Sequence, residues 1–397
     1  MTRHPATTPG REGADAPPAV SVTAVDTDVT GAVNRELESY CEEFVALGRS
    51  LDPVFAADVA QRLAAYTLGG GSRIRPRFLW WAMRACGGTD PQAPAALRIA
   101  AALELIQSCA LIHDDVMDRS AVRRGRPSFH AQIALQYPAT ARESGASAFA
   151  QSTAVLAGDL ALSWADDLVA GADLEAAVRA EVLRIWRAMR TEMIAGQYLD
   201  LHGQATSSRS AVRAIRTVCL KTARYTVERP LALGAALAGG DDATVRALTA
   251  AGRCAGIAFQ LRDDLLGVFG DPEVTGKPSG DDIRSGKATY LLALAHSRAR
   301  ATGATAVIDL LRDCRGSTDL SRSALSEARE ALRATGAPAR VERRIERLAR
   351  EAERHLTAAR LRGPAAERLA ELLHQVASPP RQQAATGATA DRPGGAR

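Results

Sequence analysis

The chain has 397 residues, 46% of them hydrophobic, enough to fill the core of one large domain or two ordinary ones, which places it among globular proteins. Its net charge of +5 would suit a polyanion binder, but the arginines alternate with glutamates, as over residues 342–354, which describes a solvated helix face and argues against a nucleic-acid partner. Six cysteines (Cys41, Cys86, Cys109, Cys219, Cys254, Cys314) lie far apart with no CxxC pair, so neither a disulfide framework nor a zinc site is expected and a reducing cytoplasm fits.

Residues 1–30 are rich in Pro, Gly, Thr and Asp, lack the apolar core of a signal peptide, and read as a disordered arm. From 31 to 377 the pattern is helix after helix: Ala, Leu and Arg dominate, apolar residues recur at i, i+3 and i+4, and alternating β-branched runs are absent. A single all-α domain is expected. Breaks fall at Gly69-Gly70-Gly71, Gly87-Gly88, Gly239-Gly240, the loop over 271–286, Thr335-Gly336 and Gly363-Pro364. Between them, long helices over 95–118, 174–201, 210–237 and 242–270 would form a bundle with a central cavity whose polar groups cluster at one end. No apolar stretch approaches the roughly 20 residues of a membrane span, so no integral membrane segment is expected. Residues 378–397 have loop composition and read as a flexible tail.

Two of the long helices end in acids. Glu104 to His113 is largely apolar and runs into Asp114-Asp115-Val116-Met117-Asp118, with Asp114 and Asp118 on one face. Carboxylates at i and i+4 repel, so the arrangement costs stability unless a cation bridges it, and Mg²⁺, which links one or two carboxylates to substrate phosphates, is the natural candidate. Alone, the motif could equally be a solvated helix end. Phe259-Gln260-Leu261-Arg262-Asp263-Asp264 repeats the design. Of 50 basic residues only three are lysines, Lys221, Lys277 and Lys287, which in so arginine-rich a chain marks positions that want a compact point charge. Arginine-rich turns with Gly and Pro, Gly70-Gly71-Ser72-Arg73-Ile74-Arg75-Pro76 and Arg123-Arg124-Gly125-Arg126-Pro127, suit phosphate oxygens.

In chain order these motifs resemble the trans-prenyl diphosphate synthases, or polyprenyl synthetases, and look closest to bacterial geranylgeranyl-type enzymes. The resemblance spans roughly residues 70–290 and includes Asp114 to Asp118, Arg123-Arg124-Gly125, Gly196-Gln197 with Asp200, Lys221-Thr222, Phe259-Gln260 with Asp263-Asp264, and the loop lysines Lys277 and Lys287. It implies a helical bundle of the isoprenoid synthase type, a homodimer, and condensation of an allylic diphosphate with isopentenyl diphosphate. By that resemblance Asp114, Asp118 and Asp263 would ligate Mg²⁺, with Asp115 and Asp264 assisting. Arg123, Lys221, Gln260, Lys277 and Lys287 would hold the allylic diphosphate, Gln197 would be a further substrate-binding residue, and Thr222 would lie near the developing cation. Arg75, Gln107 and Arg124 would hold isopentenyl diphosphate.

Two positions depart from the family pattern. Ser72 stands where the family carries Lys, with Arg73 or Arg77 as candidate replacements, and Gly267 stands where the second acidic motif often has a third Asp. Product length in this family is set just upstream of the first acids. Cys109 and Ala110 are small there, which implies geranylgeranyl diphosphate; Trp80, Trp81 and Trp164 are candidates for other walls, although helical tryptophans are more often core packing. A terpene cyclase on the same scaffold is the main rival, disfavoured by Arg75, Gln107 and Arg124 and by the absence of a cyclase-type Asn/Ser/Glu triad. A non-catalytic partner subunit would be expected to lack acids from one cluster, and both are present.

Overall fold

The computed structural model describes residues 20–137, 146–270, 280–284, 286–314 and 321–378. The chain is all-α apart from one short hairpin among the described residues. In order come α1 (Val22–Thr27), α2 (Val29–Leu51), α3 (Gln61–Leu68), α4 (Ile74–Ala85), α5 (Ala93–Met117), the hairpin β1 (Val122–Arg123) and β2 (Arg126–Pro127), α6 (Phe129–Gln136), α7 (Ala146–Ala170) and α8 (Ala176–Ala205). The second half carries α9 (Ala211–Val218), a π-helical segment (Cys219–Glu228), α10 (Arg229–Leu237), α11 (Asp242–Phe269), α12 (Asp281–Arg284), α13 (Tyr290–Thr302), α14 (Thr305–Asp313), α15 (Arg322–Ala334), α16 (Ala337–Ala358) and α17 (Pro364–Ala377).

Residues 22–27 and 29–30, which the composition placed in a disordered arm, are helical. Val22, Val25 and Val29 are buried at helical spacing, and the Val22 N–H donates to Asp90 Oδ1 at 2.7 Å, so α1 already belongs to the helical body. Residues 1–19, and all but the first residue of the expected tail 378–397, lie outside the described residues. The predicted glycine breaks do end helices: Gly239 has φ +67°, and Asp241 then caps α11 by accepting from Thr244 N at 2.7 Å.

One core gathers α2, α5 and α7; the other gathers α11 and α13 with α15 to α17. Helix α4 lies between them, with Leu79, Trp80 and Met83 in the first core and Phe78 and Ala82 in the second. Trp80 is fully buried with Nε1 donating to Asp26, and Trp164 stacks on Phe44 at 4.7 Å, so both are packing residues as expected. Helix α5 is apolar on almost every side and buried accordingly. The stretch Asp90–Met117 is in fact long and apolar enough by length and composition to cross a membrane, contrary to the sequence reading, but 78% of its apolar window is buried inside the protein.

The π-helical segment is fixed by glycine. A Cβ on Gly196 of α8 would lie 2.3 Å from Lys221 N and 2.6 Å from Lys221 Cα, and one on Gly256 of α11 would lie 2.6 Å from Ala223 Cα. Backbone therefore meets backbone on both sides of Lys221 and Ala223, closer than any side chain allows. Salt bridges from Glu192 on α8 to Arg224 and Arg229, and from Glu228 to Arg253 on α11, tie the same segment laterally. Gly196→Val is expected to destabilise the protein by about 1–3 kcal/mol, read as a lower urea midpoint, because α8 must move off Lys221.

Candidate active site

Along α5 the residues Gln107, Ala110, Asp114 and Asp118 recur every three or four positions and are only half-buried, whereas Ile106, Ser108, Cys109, Ile112 and Asp115 are buried. This open stripe leads past the small side chain of Ala110 to the first acid cluster. Cys109 is turned away from it, with Sγ 3.8 Å from His113 Nδ1, so of the two small residues Ala110 alone lies on the stripe.

Each acid at the end of α5 is met by a cation. Arg123 Nε and Nη2 donate to Asp115 Oδ1 at 2.9 and 2.6 Å, and Nη2 also reaches Asp114 Oδ2 at 3.1 Å. The arginine is aimed by its hairpin. Arg123 pairs with Arg126, and the two intervening residues, Arg124 (φ +54°) and Gly125 (φ +72°), make the left-handed two-residue turn that closes such ribbons. Lys221 Nζ donates to Asp114 Oδ1 at 3.1 Å and Asp200 Oδ2 at 2.7 Å, Gln197 Nε2 donates to Asp114 Oδ1 at 3.3 Å, and Lys287 Nζ lies 3.5 Å from Asp118 Oδ2. Burial works against the charge on Asp114, yet Lys221, Lys287 and Arg123 hold its carboxyl below the usual carboxylate range. Burial pushes Asp115 and Asp118 above that range, against the pull of Arg123 and Lys287 respectively. Burial opposes the charge on Lys221 and Lys287 as well. Asp114 and Asp200 nevertheless raise the first, and Asp118, Asp282, Asp114 and Asp200 raise the second.

At the second cluster, Thr222 Oγ1 donates to Gln260 Oε1 at 2.9 Å, and Gln260 Nε2 donates to Asp264 Oδ1 at 2.9 Å and lies 3.5 Å from Asp263 Oδ2. Asp264 is 6% exposed, and burial, then the neighbouring Asp282, push its carboxyl up to about 8. Lys287 acts electrostatically on this carboxylate and on Asp114 and Asp118, so it links the two clusters.

The residues expected to grip isopentenyl diphosphate come from three neighbouring segments. Arg75 lies over the Tyr225 ring at 4.5 Å and donates to Thr226 Oγ1 at 3.0 Å, Gln107 Oε1 is buried without a protein partner, and Arg124 Nη1 donates to Gly70 O at 2.6 Å. Arg73 cannot replace the lysine missing at Ser72. It is buried, bonded to Glu104 at 2.6 Å, to Asn34 and to Thr67 O, and fixed at φ +47°. Lys277 lies outside the described residues. Two acids near the site were not singled out for a role: Asp200, noted only as part of a motif, and Asp282, whose one sequence signal is its position between Gly280 and Lys287.

Among the described residues no three metal-binding side chains already converge as a preformed cage. The donor set nonetheless suits Mg²⁺. One oxygen in each cluster, Asp115 Oδ2 and Asp264 Oδ2, is buried with no hydrogen-bond partner, and the acids provide the hard oxygen donors that this ion takes. The lysines and arginines beside them match phosphate oxygens.

An all-α bundle whose half-buried helix ends present acids, lysines and arginines together is the architecture of an enzyme that handles a diphosphate. A model of the polyprenyl synthetase family matches residues 57–328, and the chain belongs to that family, as a transferase of the prenyl diphosphate synthase class. The geranylfarnesyl diphosphate synthase of Aeropyrum pernix is 34% identical over 260 residues, covering 64% of this chain and 74% of the relative. The farnesyl diphosphate synthase of Geobacillus stearothermophilus is 35% identical over 265 residues, covering 64% and 82%. The structure of geranylgeranyl pyrophosphate synthase from Corynebacterium glutamicum, complexed with isoprenyl diphosphate and magnesium, superposes with a TM-score of 0.80 at 38% identity, over 87% of this chain and 98% of that one.

The raised Asp264 has a consequence for stability. With a folded value of about 8 against an unfolded value of about 3.9, its contribution is fully present below the lower value and lost as pH rises through the higher. The melting temperature of the metal-free protein is therefore expected to fall between about pH 6 and pH 8.5, and Mg²⁺ is expected to raise it more at the higher pH. Scanning fluorimetry with and without chelator measures this, and a melting temperature that climbs across the window would contradict it.

Proposed function

We propose that the protein is a Mg²⁺-dependent transferase that condenses an allylic prenyl diphosphate with isopentenyl diphosphate and releases an all-trans product, geranylgeranyl diphosphate. The observation that carries this reading is the meeting of Asp114, Asp115, Asp118, Arg123, Lys221 and Lys287 at the open end of α5, beyond a stripe that passes the small side chain of Ala110. Asp114, Asp118 and Asp263 would hold Mg²⁺, with Asp115 and Asp264 assisting. Bound Mg²⁺ would supply positive charge to the departing diphosphate oxygens.

Arg123, Lys221, Gln197, Gln260, Lys277 and Lys287 would bind the same diphosphate, the cations by exchanging their present carboxylate partners for phosphate oxygens. As the C–O bond opens, Thr222, held through Gln260, would lie beside the allylic cation. The apolar helices would exclude water from it. Arg75, Gln107 and Arg124 would hold isopentenyl diphosphate with its double bond toward that cation, and the released diphosphate would accept the proton lost from the adduct. Ser72 offers no cation for this second diphosphate, so the remaining arginines would carry more of its binding.

The small side chain of Ala110, on the open stripe, favours a product longer than farnesyl. The relatives' names span farnesyl to geranylfarnesyl synthases, so length rests on such residues. A cytoplasmic location is supported by six free cysteines. Homodimer formation is supported by Phe149, Val155 and Leu156, large apolar side chains exposed on α7.

Purified protein with Mg²⁺, isopentenyl diphosphate and, in separate reactions, dimethylallyl, geranyl or farnesyl diphosphate is expected to yield geranylgeranyl diphosphate. No elongation of any primer would sink the reading. Ala110→Phe is expected to shorten the main product by at least one isoprene unit with turnover retained. An unchanged product distribution would put the chain-length wall elsewhere.

A further inference from the structure

The second acid cluster has two carboxylates where the first has three, and the residue one turn beyond Asp263 and Asp264 on the same face of α11 is Gly267. The space beside Gly267 is not empty. A Cβ built there would lie 2.7 Å from Asp282 Oδ2 and 3.2 Å from Asp282 Cγ, so any side chain at 267 would push the Asp282 carboxyl group from its present position. The approach is anchored by backbone, since Gly280 N–H donates to Gly267 O at 2.9 Å and starts the turn that carries α12. Glycine at 267 and aspartate at 282 are thus two halves of one arrangement.

Asp282 also faces the right groups. It is the largest charged contribution acting on Asp264, and with Asp118 it is one of the two acids acting most strongly on Lys287. Independently of these charges, Asp264 Oδ2 is a buried carboxylate oxygen with no hydrogen-bond partner, which leaves an oxygen ligand available within the cluster. An acid whose only task was to hold its loop would sit better away from Asp264, whose charge it opposes.

We propose that Asp282 is the third acid of the second cluster, delivered from the loop to the place a side chain at 267 would otherwise fill, and that it acts with Asp263 and Asp264 in holding the Mg²⁺-diphosphate. This rests on the reading that the site takes a Mg²⁺-bound diphosphate. It assigns a binding role to a residue from another segment and explains why α11 can lack its own third acid.

The test uses the full chain, inorganic pyrophosphate as the probe, and the melting temperature as Mg²⁺ is titrated. The unliganded melting temperature of each variant is read first to establish folding. In Asp282→Asn, which keeps the side-chain shape, the Mg²⁺ concentration for half-maximal stabilisation is expected to rise about tenfold or more. If that variant does not fold, Asp282→Ser takes its place. Gly267→Asp alone is expected to lower the unliganded melting temperature, because the two carboxyl groups collide. Gly267→Asp combined with Asp282→Ala is expected to recover much of the Mg²⁺ response that Asp282→Ala loses. An Asp282→Asn titration identical to that of the unaltered protein would overturn the proposal, as would a double variant no better than Asp282→Ala. If the unaltered protein itself gave no Mg²⁺-dependent stabilisation, the underlying diphosphate reading would fall as well, which separates the two failures.

Discussion

Carboxylates crowded into a half-buried groove between helices repel one another, and the rest of this structure is arranged around that repulsion. Two like charges about 4 Å apart cost about 4 kcal/mol at an effective dielectric of 20, more than a domain could leave uncompensated at several positions. Arg123 bridges Asp114 and Asp115, Lys221 bridges Asp114 and Asp200, and Lys287 joins Asp118 electrostatically to the second cluster. The same cations are the groups a diphosphate would recruit. Binding a metal-bound diphosphate then amounts to an exchange of partners: the acids would turn from lysine to metal and the lysines from acid to phosphate. Charges already fixed in place need little reorganisation for that exchange.

The cations are fixed by backbone. Lys221 lies on a π-helical segment held between Gly196 and Gly256, and single π turns inside α-helices are often found at functional sites. Arg123 is aimed by a hairpin whose turn puts Arg124 in the left-handed region, a conformation a non-glycine residue adopts only when its surroundings hold it. Glycine recurs at Gly267, where its lack of a side chain admits the carboxyl group of Asp282. Gly196 and Gly267 thus each give room to a charged residue from another segment, Lys221 and Asp282.

Much of the fold was legible because it depends on local pattern. The long helices expected over 95–118, 174–201 and 242–270 appear as Ala93–Met117, Ala176–Ala205 and Asp242–Phe269, with their glycine breaks in place. The span 210–237 is helical throughout, but its π-helical middle depends on contacts with α8 and α11 that no local pattern records. The first acid cluster and its lysines were legible because DDxxD spacing and the scarcity of lysine are sequence properties. What sequence misjudged was decided by tertiary contact. Arg73 looks like a phosphate ligand among its neighbours, but Glu104 and Thr67 claim it in the core. Val22 and Val25 are hidden by the Thr and Asp around them until the chain packs. The absent acid at 267 reads as a loss until the loop brings Asp282 beside it.

Calorimetric titration of a non-reactive allylic diphosphate analogue into the protein, with and without Mg²⁺, bears most directly on the idea that these acids and cations form one diphosphate site. Binding should be strong with Mg²⁺, nearly lost when the metal is chelated, and nearly lost with Mg²⁺ present in Asp114→Asn. Equal affinity with and without the metal, or full affinity in Asp114→Asn, would contradict it.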